Sequence, residues 1–270
     1  MSLRTIAHIS DLHFGREDPP VVEALLADLA ARGPSLVAVS GDLTQRARAG
    51  QFRAAREFLD RLPAPTVVVP GNHDIPLFDV LRRAVRPIAR YRAHITDDLA
   101  PFWRDDVIAV LGVNTARPSL WKDGRISHAQ IALMRERFCS VPEGVLKVLV
   151  THHPFVPAPA DPAPATVGRG REALLAAEEC GVDLLLAGHL HKGFLGDVGA
   201  HYVAVRRSIL VAQAGTAVSL RTRDEPNTYN WIVVEPPGSL HFEVRAFGTG
   251  GFRTLESARY ARVDGRWRRE

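Results

Sequence analysis

Histidine, aspartate and asparagine side chains recur at five places along the chain, each directly after an apolar run. The five signatures are Asp11-Leu12-His13, Gly41-Asp42, Gly71-Asn72-His73-Asp74, His152, and Gly188-His189-Leu190-His191. Apart from His73 and Asp74, they offer two carboxylates, one amide oxygen and four imidazoles, which is more than one ion needs. Such a set suits two divalent ions that share a bridging group, a centre that activates water against phosphorus.

The spacing within the signatures indicates how pairs of side chains could share an ion. Asp11 and His13 are two residues apart, and so are His189 and His191. In an extended segment, residues two apart point to the same side, so both members of a pair can bind one ion. Each pair alone is also typical of a hydrogen-bonded surface pair, but the ordered set of five signatures argues against chance.

The middle signatures suggest different roles for neighbouring residues. Asp42 has two carboxylate oxygens and is the natural bridge between two cations, with a helix-capping aspartate as the alternative. Asn72 offers a neutral amide oxygen. We expect His73 to contact a phosphate oxygen or to donate a proton to the leaving alkoxide. Asp74 would hydrogen-bond His73 and fix its tautomer, unless the two form only a structural turn.

Two adjacent histidines, His152 and His153, follow the next apolar run, and only one of them need bind metal. We assign the metal to His152, which is closer to the strand end. His153 then packs nearby, and it is also a candidate for contact with the substrate. Asn114, which follows another apolar run, is a second candidate for substrate binding.

The elements that hold these residues alternate between strand and helix over the first two-thirds of the chain. The apolar runs are typical of buried strands, so the polar residues gather where strand ends open onto a crevice. Helices are predicted over Val21–Ala31, along Phe52–Leu62, through Leu77–Tyr91 with a break at Pro87, from a capping box at Ser127 to Phe138, and over Glu172–Cys180.

After His191 the pattern changes to strands separated by turns. These strands are predicted at Ile209–Ala212, Tyr229–Glu235 and Leu240–Ala246. The segment Pro154–Gly168 carries five prolines and is expected to be a rim loop or a stiff connector. We expect residues 1–270 to form one domain, with the motifs within 5–191 and a mostly β part over 192–270.

Composition excludes several classes of protein. The 270 residues are 46% hydrophobic and 24% charged, which are ordinary globular values. We expect no secretory signal, and no apolar stretch reaches the ~20 residues that a transmembrane span requires. Only Cys139 and Cys180 occur, too few for a disulfide framework, so we expect two buried hydrophobes and a cytoplasmic protein.

The formal net charge of +4 is concentrated near the C-terminus. A cluster of this kind can attract nucleic acid or an anionic membrane surface. Because no aromatic stripe or nucleic-acid motif accompanies it, we interpret it as a solvated tail, and nucleic acid stays a less favoured partner. The residues concerned are Arg259, Arg262, Arg266, Arg268 and Arg269.

The ordered signatures resemble those of the calcineurin-like metallophosphoesterase superfamily, over roughly residues 5–191. The resemblance implies an α/β fold, a four-layer αββα sandwich of two mixed β-sheets with helices outside. It also implies two divalent metal ions (Mn²⁺, Fe²⁺/Fe³⁺ or Zn²⁺). One ion would be held by Asp11, His13, Asp42 and His191, the other by Asp42, Asn72, His152 and His189, and His73 matches the substrate-contacting histidine.

Within the superfamily, the opening Ala7–His13 and the segments Val113–Thr115, Gly124–Ser127 and His152–Pro154 resemble bacterial class III cyclic-nucleotide phosphodiesterases and glycerophosphodiesterases. This implies hydrolysis of small phosphodiesters, such as cAMP or glycerophosphodiesters, by in-line attack of a metal-bridging hydroxide. The alternatives are a UDP-sugar-lipid pyrophosphatase, a metal-dependent nuclease and a metal-binding module without turnover. The sequence leaves open whether the protein forms a homodimer.

Overall fold

Two mixed β-sheets pack face to face, with helices on both outer sides, in a computed structural model. It describes residues 3–157, 166–200, 205, 207–222 and 225–270. This architecture confirms the four-layer αββα sandwich implied by the sequence resemblance. Residues 158–165 of the predicted rim loop Pro154–Gly168 lie outside the described residues.

The strands and helices have the following bounds. The strands are β1 (Arg4–Ile9), β2 (Leu36–Val39), β3 (Thr66–Val68), β4 (Phe102–Arg104), β5 (Ile108–Gly112), β6 (Leu146–Val150), β7 (Leu184–Ala187), β8 (Phe194–Asp197), β9 (Leu210–Gln213), β10 (Thr228–Glu235), β11 (Ser239–Gly248), β12 (Gly251–Val263) and β13 (Arg266–Arg269). The helices are α1 (Pro19–Arg32), α2 (Ala49–Asp60), α3 (Val80–Val85), α4 (Ala89–His94), α5 (His128–Cys139) and α6 (Gly170–Glu179).

Parallel strands form one side of the first sheet and the centre of the second. The first sheet has the order β13-β12-β11-β10-β1-β2-β3, in which β1, β2 and β3 are parallel and β10 to β13 are antiparallel neighbours. The second sheet has the order β4-β5-β6-β7-β9-β8, in which β5, β6, β7 and β9 are parallel. The carboxyl ends of parallel strands meet at one edge of a sheet, which is where the polar signatures follow.

Successive side chains of the central strands point to opposite faces, so the apolar residues belong to three separate cores. Ala7 and Ile9 of β1 pack toward α1 and α2, whereas Ile6 faces the core between the sheets. In the second sheet, Leu149 of β6 packs toward α5 and α6, and Val148 faces the first sheet. Because successive strand residues point to opposite faces, each central strand is buried on both sides. The strand ends that carry the signatures are therefore held firmly.

The predicted helices are present. Pro87 separates α3 from α4, as expected of a residue without an amide hydrogen. Ser127 caps α5: its hydroxyl accepts from the Gln130 amide at 3.2 Å, and Gln130 Oε1 accepts from the Ser127 amide at 2.9 Å. No helix among the described residues is long and apolar enough to cross a bilayer.

The basic C-terminus is not a solvated tail. Strands β12 and β13 extend the first sheet at its edge, and they carry the arginines of the cluster. Tyr260 and Trp267 from these strands pack into the core between the sheets. The prediction of a tail is wrong because exposed Arg259, Arg266 and Arg268 alternate with inward Tyr260 and Trp267, while Arg262 pairs with the buried Asp183. A count of charge does not reveal that period.

Cys139 and Cys180 form a disulfide at the C-terminal ends of α5 and α6. The prediction of two separate buried hydrophobes is therefore wrong. The two helices lie side by side on the second sheet and bring the two Cα atoms within 4.5 Å, although the cysteines are 41 residues apart in sequence. The bond also removes the cysteine argument for a reducing compartment, and the cytoplasmic location stays a prediction without it.

Replacing Cys139 and Cys180 together by alanine is expected to lower the free energy of unfolding by roughly 2–4 kcal/mol, because the bond constrains the unfolded chain. Denaturant unfolding followed by tryptophan fluorescence measures the change. The parent protein after reduction should match the double variant. Equal stability of the variant and the oxidised parent would contradict a stabilising bond.

Candidate metal centre

The five signatures come together at one end of the two sheets. Asp11, Asp42 and Asn72 follow β1, β2 and β3 of the first sheet, while His152 and His189 follow β6 and β7 of the second. The strands of each set are parallel, so their carboxyl ends open onto the same crevice. The candidate ligands therefore face one another across the gap between the sheets.

Five of the seven predicted ligands have a left-handed backbone conformation. Their φ angles are 54° at Asp11, 48° at His13, 53° at Asp42, 75° at His189 and 57° at His191. The extended geometry predicted for the two i, i+2 pairs is therefore wrong, because the chain turns sharply where each strand ends. Non-glycine residues in this region are strained, and such strain concentrates at functional sites.

Two glycines in the signatures let the loops approach one another closely. A Cβ atom on Gly71 would lie 2.1 Å from Asp42 Oδ1, and one on Gly188 would lie 1.8 Å from Ser10 Oγ. Both distances are far below van der Waals contact, and the second involves a side chain that is itself fully buried. Any larger residue at either position would push the ligand-bearing loops apart.

Asp11, His13 and His191 form the first group of candidate ligands. His191 Nε2 lies 3.5 Å and His13 Nε2 lies 3.6 Å from Asp11 Oδ1, and His13 Nε2 lies 3.7 Å from Asp42 Oδ2. Ligands at the usual distance from a tetrahedral ion lie roughly 3.3–3.6 Å from one another. The separations are close to that spacing and too long for hydrogen bonds.

Asn72, His152 and His189 form the second group. Asn72 Oδ1 lies 3.0 Å from His152 Nε2 and 3.1 Å from His189 Nδ1, and the two ring nitrogens are 3.3 Å apart. Asp42 Oδ1 lies 3.4 Å from His152 Nε2. Asp42 thus presents Oδ2 to the first group and Oδ1 to the second.

Buried polar atoms without a hydrogen-bond partner indicate whether these residues suit metal ions. Asp11 Oδ1 and both ring nitrogens of His13 are buried and have no hydrogen-bond partner among the described residues. His13 and Asp11 are both fully buried. Leaving such atoms unpaired is unfavourable, and ion coordination would satisfy them. The mixed nitrogen and oxygen donors fit Mn²⁺, iron or Zn²⁺.

The two buried carboxylates of the cluster keep their negative charge. Burial opposes ionisation of Asp11 and Asp42, but facing histidines, His191 and His152 respectively, hold both pKa values below their usual range. Burial likewise lowers the pKa of His152, yet the Asp42 carboxylate outweighs it and raises that pKa to about 9. In His189, burial and the charge of His152 lower the pKa to about 3.

Several ligands are oriented by bonds on the side away from the centre. The Ser10 hydroxyl and the His189 amide donate to Asp11 Oδ2 at 2.6 and 3.0 Å, which leaves Oδ1 facing the histidines. His191 Nδ1 lies 2.7 Å from Thr216 Oγ1, and His152 Nδ1 donates to a backbone carbonyl at 2.8 Å. Partners of this kind fix which ring nitrogen faces a metal. Sequence reasoning missed Thr216, which lies outside every signature.

Comparison with known proteins agrees with this geometry. Residues 4–193 match the family model described as calcineurin-like phosphoesterase. The chain belongs to this family. It is therefore a metal-dependent phosphoesterase.

Two curated relatives have names that refer to phosphodiesters. The phosphoesterase is 24% identical over 257 residues to a Synechococcus protein named "Probable cyclic nucleotide phosphodiesterase syc0937_d", a match that covers 89% of this chain and 91% of the relative. It is 35% identical over 80 residues to glycerophosphodiester phosphodiesterase GpdQ of Enterobacter lignolyticus, which covers 26% of this chain and 29% of that protein.

Solved structures share the fold. Purple acid phosphatase PPD1 from yellow lupin has a TM-score of 0.70 at 10% identity, and the match covers 96% of this chain. It covers 53% of the lupin protein, so the phosphoesterase spans about half of that length. A dimetal phosphatase from Danio rerio has a TM-score of 0.67 at 12% identity, with 95% of this chain and 98% of the other covered. These likenesses show the fold alone.

His73 lies at the margin of the cluster with its ring fixed by the protein. Nδ1 donates to the Gln45 carbonyl at 2.9 Å, and the ring meets His13 edge to face at 4.8 Å between centroids. Burial lowers the pKa of His73 in spite of the nearby Asp42 charge. The neutral ring therefore carries its proton on Nδ1 and leaves Nε2 as an acceptor.

Two arginines that sequence reasoning missed flank the His73 ring. Arg221 Nη1 lies 3.2 Å from Nε2, and Arg46 Nη1 lies 3.3 Å from Nδ1. Arg46 lies in the same loop as Asp42, and only this proximity in sequence could have indicated that Arg46 belongs to the site. Arg221 lies in the connection between β9 and β10, far from any signature in sequence, so only the fold brings it here.

The predicted hydrogen bond between the Asp74 and His73 side chains is absent. Its buried carboxylate accepts from the backbone amides of Leu43, Thr44 and Gly71 at 2.9–3.1 Å and from the Thr44 hydroxyl at 3.0 Å. Burial and the Asp42 charge raise the pKa of Asp74 to about 6, opposed by these bonds. Asp74 joins the loop of Asp42 to the loop that follows β3, and the Gln45 carbonyl fixes the His73 tautomer instead.

His153 lies beside the second group but is bonded elsewhere. Its ring centroid is 4.8 Å from that of His152 and 4.7 Å from that of His189. Nδ1 lies 2.7 Å from Thr115 Oγ1, and Nε2 donates to the Lys122 carbonyl at 3.0 Å. These contacts support the assignment of the metal to His152, and substrate contact by His153 stays a prediction.

Asn114 takes part in a local turn. Its Oδ1 accepts from the Ala116 amide at 2.9 Å, and its backbone carbonyl accepts from Gln130 Nε2 at 2.7 Å. The side-chain oxygen therefore has a structural partner. Substrate contact by Asn114 also stays a prediction.

Replacing Asp74 by asparagine is expected to lower the free energy of unfolding by roughly 2–4 kcal/mol and to reduce metal retention. The amide NH₂ would face backbone N–H donors that now meet a carboxylate oxygen, which leaves buried donors unpaired. Thermal unfolding and elemental analysis measure the two effects. The control is Asp106→Asn, since that side chain is 73% exposed. Parental stability with full metal content would contradict the bracing role of Asp74.

Proposed function

We propose that this phosphoesterase hydrolyses small phosphodiesters with two divalent ions. The observation that carries the proposal is the position of Asp42 between the two ligand groups. Its oxygens lie 3.4 Å from His152 Nε2 and 3.7 Å from His13 Nε2, on opposite sides of one carboxylate. A carboxylate shared in this way supports two neighbouring ions.

The two groups would divide the ions between them. One ion would be held by Asp11, His13, Asp42 and His191, the other by Asp42, Asn72, His152 and His189. Two divalent ions lower the pKa of bound water and neutralise charge on a phosphoryl oxygen. Because Asp11, His13 and His152 are fully buried, the protein excludes bulk water from behind the ligands and keeps their electrostatic effect strong.

His73 is positioned to serve the leaving oxygen. The Gln45 carbonyl holds Nδ1, so Nε2 is the nitrogen that can face a substrate. Once Nε2 has taken a proton from solvent, which the negative charges of Asp42 and of a bound diester favour, it would pass that proton to the departing alkoxide, whose charge otherwise opposes cleavage of the phosphorus–oxygen bond. The edge-to-face contact with His13 keeps the ring in this orientation.

Arg221 and Arg46 give the margin of the site a preference for anions. Arg221 Nη1 now contacts His73 Nε2 at 3.2 Å, so a phosphate group entering there would take its place between the two side chains. Guanidinium groups match phosphate oxygens in both charge and geometry. A diester keeps one negative charge, and these arginines would hold it against the centre.

The relatives support small diesters as the substrate class. The name of the Synechococcus protein, which aligns over most of this chain, refers to cyclic nucleotides, and the name of GpdQ refers to glycerophosphodiesters. Both groups of compounds are single phosphodiesters of low mass. UDP-linked lipids and nucleic acids serve as competing substrates in the test.

A metal-reconstituted substrate screen tests this function. The substrates are cAMP, a glycerophosphodiester, a UDP-sugar lipid and an oligonucleotide, ranked by kcat/KM. We expect the small diesters to rank first, with activity lost on chelation and restored by Mn²⁺, Fe²⁺ or Zn²⁺. Absence of hydrolysis by protein that holds two equivalents of metal would contradict the proposal, and a preference for the oligonucleotide would replace the substrate class.

Replacing His73 by alanine is expected to leave the metal content unchanged and to slow diesters with alkoxide leaving groups by roughly 10²–10⁴-fold. Bis(p-nitrophenyl) phosphate should be affected much less, because p-nitrophenolate leaves without a proton. The control is His128→Ala, whose side chain is 75% exposed. An equal loss on both substrates would rule out proton donation by His73.

A further inference from the structure

Five large apolar side chains project into solvent from two segments beside the metal centre. They are 61–76% exposed, and they make up half of the large apolar side chains that are exposed among the described residues. The first segment is α3 with the residues just before it, and the second is the loop between β5 and α5. We call this surface the apolar ridge; it consists of Phe78, Val80, Leu81, Val85 and Trp121.

Helix α3 is inverted relative to an ordinary surface helix, because a charged side chain faces the protein. Among its six described residues, only Arg83 is buried. Leu81 and Val85 are four residues apart and therefore lie on one side of the helix, roughly opposite Arg83. A surface helix normally buries its apolar residues and exposes its charged ones. The apolar side of α3 is therefore directed away from the core of the protein and is available to a partner.

Arg83 holds the two segments of the apolar ridge together. Its Nε and Nη2 donate to the carbonyls of Pro118 and Leu120, both at 2.7 Å, and its Nη1 donates to the Pro76 carbonyl at 3.1 Å. The guanidinium carbon lies 5.0 Å from the centre of the Trp121 ring. All of these contacts are made within the chain, so the ridge has its shape before any partner binds.

Cations outnumber carboxylates around the apolar ridge. Over residues 78–86 and 120–123, the charged residues are Arg82, Arg83, Arg86 and Lys122 against Asp79 and Asp123. Asp79 accepts from the Arg82 amide at 3.0 Å and from Arg82 Nε at 2.9 Å, so its charge is already matched. Arg86 and Lys122 are exposed. Protruding apolar groups with an excess of positive charge are complementary to an anionic lipid surface.

We propose that the apolar ridge binds the surface of a bilayer that contains anionic lipids. Phe78, Leu81 and Trp121 would enter the headgroup region, where apolar and aromatic side chains are stabilised. Arg86 and Lys122 would contact lipid phosphates. A second copy of the chain fits the ridge less well, because a two-fold contact would bring the same excess of positive charge to both sides.

The apolar ridge borders the margin of the metal centre. Phe78 is five residues beyond His73 in sequence. The Arg46 guanidinium lies 5.5 Å from the centre of the Phe78 ring, and its Nη1 lies 3.3 Å from His73 Nδ1. A bilayer bound at the ridge would therefore hold the metal centre close to the lipid headgroups. The binding itself does not depend on the proposed hydrolysis.

Sedimentation of the metal-loaded full chain with vesicles tests the proposal. We expect binding to vesicles of phosphatidylglycerol and phosphatidylcholine in equal parts, and binding about tenfold weaker to phosphatidylcholine alone. Leu81→Ser should weaken binding to the mixed vesicles about tenfold, and Arg86→Gln should weaken it roughly fivefold. The controls Leu255→Ser and Arg253→Gln, at exposed positions of β12, should leave it unchanged.

Tryptophan emission reports which surface meets the lipid. Trp121 is exposed, whereas Trp231 and Trp267 are buried. Mixed vesicles should therefore shift the emission to shorter wavelength through Trp121. Trp121→Phe keeps an apolar ring, so it should retain most of the binding and lose the shift.

Three results would overturn the proposal. Absent or equal binding to the two kinds of vesicle would show that the ridge has no affinity for anionic lipid. Binding to the mixed vesicles that both Leu81→Ser and Arg86→Gln leave unchanged would place the contact elsewhere on the protein. A parent dimer in sedimentation velocity that Leu81→Ser converts to a monomer would assign the ridge to a second copy. The vesicle assay involves no turnover, so its failure is distinguishable from a failure of the proposed hydrolysis.

Discussion

Two buried carboxylates set the main constraint on the metal centre. Asp11 and Asp42 are 0% and 1% exposed and follow neighbouring parallel strands, so their charges lie close together away from water. An isolated ionised carboxylate in such a place is very costly. The Ser10 hydroxyl, the backbone amides of His73 and His189, and the ring of histidines offset part of that cost. Cations supply the remainder, which is why the site is built for metal.

The layers around the metal centre stabilise the strained backbone of its ligands. Five ligand residues adopt left-handed turns, and these turns persist because the strands before them are packed on both faces. Backbone bonds between the loops add to this: the amide of His13 donates to the Asp42 carbonyl at 2.9 Å. The burial of each strand end is thus a condition for the geometry of the ligands, and Asp74 ties two of the loops together.

The sequence predicted the strands well because the central ones are apolar on both faces, and it predicted the candidate ligands because each follows such a run. The geometry of the pairs could not be predicted, since the spacing of Asp11 and His13 is the same in an extended and in a turned segment. Arg221 contacts His73 only through the path of a distant loop. The strands β12 and β13 were concealed by their arginines, and the pairing of Cys139 with Cys180 depends on how two helices pack.

The bond between Cys139 and Cys180 closes a covalent ring around the stretch that carries β6, His152 and His153. A protease that cuts once inside this ring leaves both pieces on the same molecule. Strand β6 stays hydrogen-bonded between β5 and β7, so the ligand on its end would keep its place after the cut. The disulfide would therefore keep the two pieces of the phosphoesterase together after such a cut.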